Sequence, residues 1–444
     1  MAKKKTTAHE TTPATSKLLL RGGRVFDPGL NLDFVGDILI DKQNGLIRQL
    51  GPGLKADRQT EIRDCRDLLL CPGFIDIHVH FREPGYESKE TIATGSAAAV
   101  HGGFAAVATM PNTDPPLDNE ATVAYQLLRD REAGGARVYP IGCITVGRQG
   151  KELAGLGLLA RAGAVAFSDD GAAVPSARVL RYALEYAKSL NRPIIEHCED
   201  AELSGGAIMH EGLVSASLGI NGSPAAAEEL IVARDLRLCE LTGGRLHIAH
   251  VSTAGSAALI REAKRKGLPV TAEVAPHHLL LTDELCRTFD PLYKVNPPLR
   301  SAADAAACRE ALRTGVIDAI ASDHAPHSAE EKAREFVEAP HGIIGLESTV
   351  GVLLTDLVAA GELSLERMVT ALTGGPAKAL GLPGGVLEAG GPADVTILDL
   401  NRRWTLNSEK FHSKGRNCPF AGRKLKGLAV ETIVGGRSHK NDWR

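Results

Sequence analysis

Histidines and carboxylates in this chain recur at spacings that suit divalent-metal chemistry. His78-Val79-His80 ends the short apolar run FIDIHVH. In an extended strand, side chains two apart share a face, so both imidazoles can reach one ion. Such a pair alone is often incidental. Three more β-rich runs end in the same way: PIIEHCED carries His197, RLHIAHVS carries His250 and DAIASDHAP carries Asp323. Four histidines and a carboxylate can serve two ions once a bridging group is added, and FSDDG offers Asp169 or Asp170. Imidazole with carboxylate suits zinc and also accepts cobalt or manganese. Two such ions depress the pKa of a bound water and polarise a carbonyl oxygen, which is what hydrolysis of an amide needs.

Other residues fall where they could hold a substrate. Arg82 lies two positions beyond His80, so alternation turns it toward the same cavity, and its planar fork suits a carboxylate. Asn112 sits in the turn MPNT, Asn296 precedes two prolines in KVNPPLR, and His327 lies beyond Asp323. Each also has a plainer reading: a surface ion pair for Arg82, a turn-forming side chain for the two asparagines and a loop-capping ring for His327. Some features mislead. Gly155-Leu-Gly157-Leu-Leu-Ala160 fits a dinucleotide-binding pattern by letter, but GRQGKELA precedes it where a strand is required. Cys198 neighbours His197, so on a strand it faces the opposite way and reads as a structural thiol. His277-His278 are surplus to the ligand set and read as supporting residues.

These residues need a frame. From about Gly73 to Leu380, strand-like runs alternate with Ala/Leu-rich stretches such as SARVLRYALEYAKSL. Repeated βα units imply a parallel sheet covered by helices. Eight strand candidates favour a closed (β/α)8 TIM-like barrel, and the metal-type residues fall at the C-terminal strand ends where barrels build active sites. The flanks are different. KLLLRGGRVFDP, VGDILID and GLIRQLG at one end match GGPADVTILDL and LAVETIVGG at the other. Strand-sized pieces bounded by Gly, Pro and Asp imply a small β-sandwich domain built from both ends. The expected boundaries are a disordered tail over 1–16, the small domain over 17–72 and 384–444, and the barrel over 73–383.

Composition narrows the class. The net charge of −3 leaves no global positive field for nucleic acid. No apolar run approaches the roughly 20 residues that span a bilayer. The eight cysteines are scattered without a C-x-x-C pair, the pattern of reduced thiols in a cytoplasmic protein. The polar start MAKKKTTAHETTPATSK lacks the apolar core of a targeting segment.

The segment GFIDIHVHFREPGYESKETIATGSAAAVHGGFAAVATMPNTDPPLD is very similar to the signature of dihydroorotases in the amidohydrolase superfamily. FSDDG, EHCED, HIAHVST, EVAPHHLLLTDE, YKVNPPLR and IASDHAPH follow in the family's order. The resemblance implies a zinc-dependent cyclic amidohydrolase of the aspartate-bridged type. Such an enzyme interconverts N-carbamoyl-L-aspartate and L-dihydroorotate in de novo pyrimidine biosynthesis. It further implies two zinc ions per subunit: His78, His80 and Asp323 on the first, His197 and His250 on the second, and Asp170 bridging. Asp169 stays open as the bridge on spacing. Substrate contacts implied in the same way are His80, Arg82, Asn112, Asn296, His327, His341 and Gly342. Asp323 would carry a proton between a bridging hydroxide and the ring nitrogen. A homodimer, and aspartate carbamoyltransferase as a partner, belong to the same expectation. Two readings compete. A cyclic amidase for neutral rings, such as a dihydropyrimidinase or allantoinase, would need no carboxylate partner like Arg82. A non-catalytic scaffold for aspartate carbamoyltransferase would be expected to lose metal ligands.

Overall fold

The chain was analysed as a computed structural model that describes residues 15–441 and 443, so the expected tail lies, over 1–14, outside the described residues. Eight short parallel strands pair in sequence order: Phe74–Val79, Phe104–Thr109, Arg137–Gly142, Ala166–Ser168, Ile194–Glu196, Leu246–Ile248, Val270–Val274 and Ala319–Ile320. They are the eight runs expected from the sequence. The first and last meet through a single Val79–His324 bridge, with the His80 amide donating to the His324 carbonyl at 2.8 Å. The Asp76 carboxylate reinforces this seam by accepting the Ser322 amide at 3.1 Å on each oxygen.

Parallel pairing needs crossovers, and helices supply them. Helix Ile92–Gly102 starts where the Thr91 hydroxyl accepts the Thr94 amide and stops at Gly103, whose φ of 101° suits glycine. Helix Ala177–Ser189 buries Val179, Leu180, Ala183, Leu184 and Ala187, one stripe at helical spacing. The dinucleotide-like Gly155–Ala160 lies around the start of helix Leu156–Ala162, behind an isolated Thr145–Leu153 bridge instead of a strand. Inside the ring, Ile75, Ile77, Ala106, Ala108, Ile141, Ala166, Ile195, Ala249, Ala319 and Ala321 form one apolar cluster. Side chains from strands all round the barrel can touch one another only across its interior. The barrel is therefore a packed plug with its polar end at the strand C-termini.

Both chain flanks enter one small sheet. Leu69–Pro72, which leads into the barrel, pairs antiparallel with Val395–Thr405, which follows it. The sheet turns back on itself, since the Ile47 amide donates to Gly391 at 3.0 Å and the Gly390 amide to Ile47 at 2.8 Å. Leu18, Leu20, Ile38, Ile40, Val395, Ile397 and Ile433 are enclosed by the turn. Thr396 ties this sheet to the barrel: its hydroxyl donates to Gly103 at 2.7 Å and accepts the Phe74 amide at 3.1 Å. Among the described residues, no helix is long and apolar enough to cross a membrane.

The connection between Val395–Thr405 and Lys424–Val434 leaves the sheet and reaches the barrel. There the buried Glu347 accepts the His412 and Ser413 amides at 2.9 and 3.2 Å. Burial pushes the Glu347 carboxyl up to about 8. A carboxyl that ionises near 4.5 when unfolded then holds its proton more tightly in the fold. Its contribution is complete at pH 4 and is lost as the pH rises through 8. Glu347→Gln should therefore flatten the fall in unfolding free energy between pH 5 and 8, measured by denaturant melts against the parent chain.

Candidate metal centre and substrate cavity

The strand ends bring together the residues singled out by type. His78 and His80 end the first strand with ring centres 5.3 Å apart. Asp170, His197, His250 and Asp323 follow the fourth, fifth, sixth and eighth strands. All six are buried. Two groups have ligand atoms within 4.8 Å of one another, His78 with His80 and Asp170, and Asp170 with His197 and His250. Asp170 belongs to both. Its Oδ1 lies 3.3 Å from His78 Nε2, 3.6 Å from His250 Nε2 and 3.8 Å from His197 Nδ1, while Oδ2 lies 3.5 Å from His80 Nε2. Asp323 Oδ1 stands 3.2 Å from His80 Nε2 and 3.6 Å from His78 Nε2. Asp169 is engaged elsewhere, accepting the Ile144 and Thr145 amides at 2.9 and 3.0 Å and the Thr145 hydroxyl.

The outward nitrogens of three rings are hydrogen-bonded to acceptors. His78 Nδ1 is 2.6 Å from Glu273 Oε1, His80 Nδ1 is 2.8 Å from Asn112 Oδ1, and His197 Nε2 is 3.1 Å from Glu199 Oε2. A carboxylate or amide oxygen only accepts, so these nitrogens carry hydrogen and the inward ones are left with lone pairs. Burial alone would raise Glu273 and Glu199, but His78 with His247 and His197 hold the two carboxyls down at about 2. They remain acceptors at neutral pH.

Whether the centre fits a metal can be judged from its orphans. His78 Nε2 and Asp170 Oδ1 are buried without a hydrogen-bond partner. Buried polar atoms are almost always paired, and these two face one another across 3.3 Å with three further ring nitrogens close by. A set of imidazoles and carboxylates converging in this way suits first-row divalent ions. The residues fit. His250 and Asp323 hold left-handed backbone, with φ of 31° and 50°, and Arg82 does so at 61°. Non-glycine residues accept this strain where the surrounding structure dictates it, commonly at functional sites.

Beside the centre opens a cavity of about 250 Å³. His80, Arg82, Asn112, Asn296, His327, His341 and Gly342 line it, together with Asp170, His197, His250 and Asp323. His78 stands behind them and is fully buried. The Arg82 side chain donates Nε–H to the Pro326 carbonyl at 3.3 Å, and among the described residues no carboxylate forms an ion pair with it. The next residue bolts its loop down. Glu83 accepts Tyr125 Oη–H at 2.9 Å, Arg129 Nε–H at 2.8 Å and the Ile92 amide at 2.8 Å.

The facing wall is built from three loops. Asn296 donates its amide to Glu199 at 2.9 Å, and His278 donates to the Pro297 carbonyl beside it at 3.0 Å. His327 donates Nε2–H to the His341 carbonyl at 2.8 Å. Burial, and then Arg82, bring His327 down to about 3, so its ring is a neutral donor or acceptor. Gly342 has a φ of 122°, and a Cβ there would fall 2.8 Å from that of Ala325. Only glycine fits. The Cys198 thiol is buried beside Asp235 at 3.9 Å, and burial followed by that carboxylate raises its pKa well above normal, so it is no nucleophile.

Glu273, Glu199 and His247 were not singled out by sequence. His247 Nε2 lies 3.1 Å from Glu273 Oε2, so one carboxylate holds two rings. The available sign was a charged glutamate within the β-rich run PVTAEV.

Comparison with known proteins bears on this geometry. A family model described as dihydro-orotase-like matches residues 67–256, and one described as amidohydrolase family matches residues 233–439. A dihydroorotase of Pelotomaculum thermopropionicum is 53% identical over 421 residues, covering 95% of this chain and 98% of that one. The chain belongs to the dihydroorotase family. A second dihydroorotase, from Anaeromyxobacter dehalogenans, is 51% identical over 428 residues, with 96% and 98% covered. Among solved structures, an L-hydantoinase of Arthrobacter aurescens aligns with a TM-score of 0.84 at 26% identity, covering 96% of each chain. Hydantoinases thus share the architecture, whereas dihydroorotases share half the residues. As a member of the dihydroorotase family this chain is a cyclic amidohydrolase, and its clustered histidines and aspartates are of the kind and spacing that can hold a metal ion.

Glu273→Gln should lower divalent-metal affinity by about 10- to 100-fold, because an amide holds the His78 tautomer less firmly than a carboxylate. Competition with a chelator, read by metal analysis, checks this in the dihydroorotase-family protein.

Proposed function

We propose that this chain interconverts N-carbamoyl-L-aspartate and L-dihydroorotate, a step of de novo pyrimidine synthesis. One observation carries the reading. Among the described residues no carboxylate is ion-paired with the Arg82 guanidinium, which lines the cavity beside the metal-type residues, and burial lowers its pKa. A half-buried cation with no carboxylate ion-paired to it calls for an anionic ligand. Dihydroorotate supplies a carboxylate there; the neutral hydantoin ring does not.

In this reading His78, His80 and Asp323 would hold one zinc ion, His197 and His250 would hold the other, and Asp170 would serve both. When bound, the pair supplies an activated water and a polarised amide carbonyl. The chain's own residues do the remainder. Arg82 takes the α-carboxylate through its planar fork, and Asn112 adds an amide N–H, its oxygen being used by His80. Asn296, His327, His341 and Gly342 close the opposite side. Asp323 handles the proton. Burial would raise its carboxyl, but His80 and then His78 outweigh that and hold it well below the usual range, in the basic form. It takes the proton of the attacking water and delivers it to the leaving ring nitrogen. In the biosynthetic direction it takes the ureido N–H proton instead. One carboxylate serves both directions because it faces the reacting atoms throughout.

The reading extends to two zinc ions per subunit and to the boundaries 17–72 and 384–444 for the small domain and 73–383 for the barrel. It also extends to a homodimer, association with aspartate carbamoyltransferase, and a cytoplasmic location. Eight cysteines, all free and buried, support a reducing compartment.

Arg82→Met should raise KM for dihydroorotate by about 100-fold while metal content stays at the parental value. Preference of the parent chain for hydantoin over dihydroorotate would overturn the substrate assignment in favour of a neutral-ring amidase. Asp323→Asn should fold normally and lose roughly 100- to 10,000-fold in kcat. Steady-state rates alongside circular dichroism separate this from misfolding.

A further inference from the structure

The cavity wall opposite the metal centre is held by a residue that the barrel does not supply. Asn417 lies in the connection between Val395–Thr405 and Lys424–Val434, and it is buried. Its Nδ2 donates to the Ala325 carbonyl at 3.0 Å and to the Gly342 carbonyl at 3.1 Å. Its Oδ1 accepts the His327 amide at 3.3 Å, and its own carbonyl accepts the Ile344 amide at 3.0 Å. One amide group therefore ties the loop after the eighth strand to the loop holding His341 and Gly342. Between Ala325 and His327 lies Pro326, whose carbonyl receives Arg82 Nε–H. Three cavity-lining residues, Arg82, His327 and Gly342, are thus located through one side chain of the small domain.

The connection is itself anchored just before Asn417. Ser413 donates its hydroxyl to the buried Glu90 at 2.5 Å, and the Lys414 amide donates to the other oxygen of Glu90 at 3.3 Å. Gly415 allows the approach, since a Cβ there would lie 2.9 Å from Asn417 Oδ1 and 3.0 Å from Pro326 Cβ. A segment required only to join two strands has no need of such a fit.

We infer that Asn417 is a positioning residue for substrate recognition, holding His327 and Gly342 in register with Arg82 so that the three face one carboxylated ligand. It touches neither the metal ligands nor the cavity itself. Its loss should therefore act on substrate binding and spare the metal centre. The inference rests on the reading of Arg82 and His327 as substrate contacts.

Asn417→Asp tests it best. The substitution keeps the shape and the acceptor for the His327 amide, and it turns two donors into an oxygen facing two carbonyls. KM for dihydroorotate should rise by about 10-fold or more, with kcat changed less than about threefold and metal per chain unchanged. Asn417→Ala should show the same split. KM within twofold of the parent in either variant, or kcat falling together with metal content, would overturn the inference. So would failure of both variants to fold, which would assign Asn417 to the fold alone. His327→Ala, measured beside them, separates the two levels. If it leaves KM unchanged, the reading of the cavity fails; if it raises KM while Asn417→Asp does not, only the role of Asn417 fails.

Discussion

Everything at the centre of this molecule depends on which nitrogen of each imidazole points inward. A histidine on a strand end presents either nitrogen with little intrinsic preference. Glu273, Asn112 and Glu199 remove that freedom by accepting the outer N–H of His78, His80 and His197. With the outer sites committed, the inner lone pairs converge on Asp170, and like-polarity groups crowd together in a buried volume. That crowding is costly without a cation and useful with one. The strained backbone at Arg82, His250 and Asp323 reflects the same requirement, since the surroundings hold these residues where the centre needs them.

The packed interior makes this precision affordable. Alanines at 106, 108, 166, 249, 319 and 321, with isoleucines between them, fill the barrel below the polar layer. A dense plug limits how far strand ends can shift relative to one another. Four elements at the mouth then need only short hydrogen-bonded braces to aim their side chains. Glu83 braces the Arg82 loop, His278 the Asn296 loop, and Asn417 the wall opposite.

Much of this was legible in the chain before any coordinates. The eight barrel strands were readable because each is a short apolar run broken by polar or turn-forming residues. The convergence of the metal-type residues was readable because they recur at the same end of those runs. Spacing could not choose between Asp169 and Asp170, since adjacent carboxylates differ only in what surrounds them. One faces the amides of Ile144 and Thr145, and the other faces four imidazoles. Glu273 escaped notice because its partner His78 lies 195 residues away, and pairing at that distance leaves no periodic trace. Asn417 was hidden for a different reason. FHSKGRNCPF reads as a turn-rich loop between two strands, and nothing in its composition says that it crosses to the barrel mouth.

The pairing of Leu69–Pro72 with Val395–Thr405 has a consequence for how the chain comes to be folded. The Phe74 amide waits for the hydroxyl of Thr396, 322 residues further along. During synthesis, the first-made strands must spend the whole making of the barrel with an unpaired edge. The small sheet can be completed only after the barrel segment has been made, and the same late stretch of chain carries the connection that reaches the barrel mouth. A nascent chain halted within the barrel would carry most of its metal-type residues and none of this closing segment.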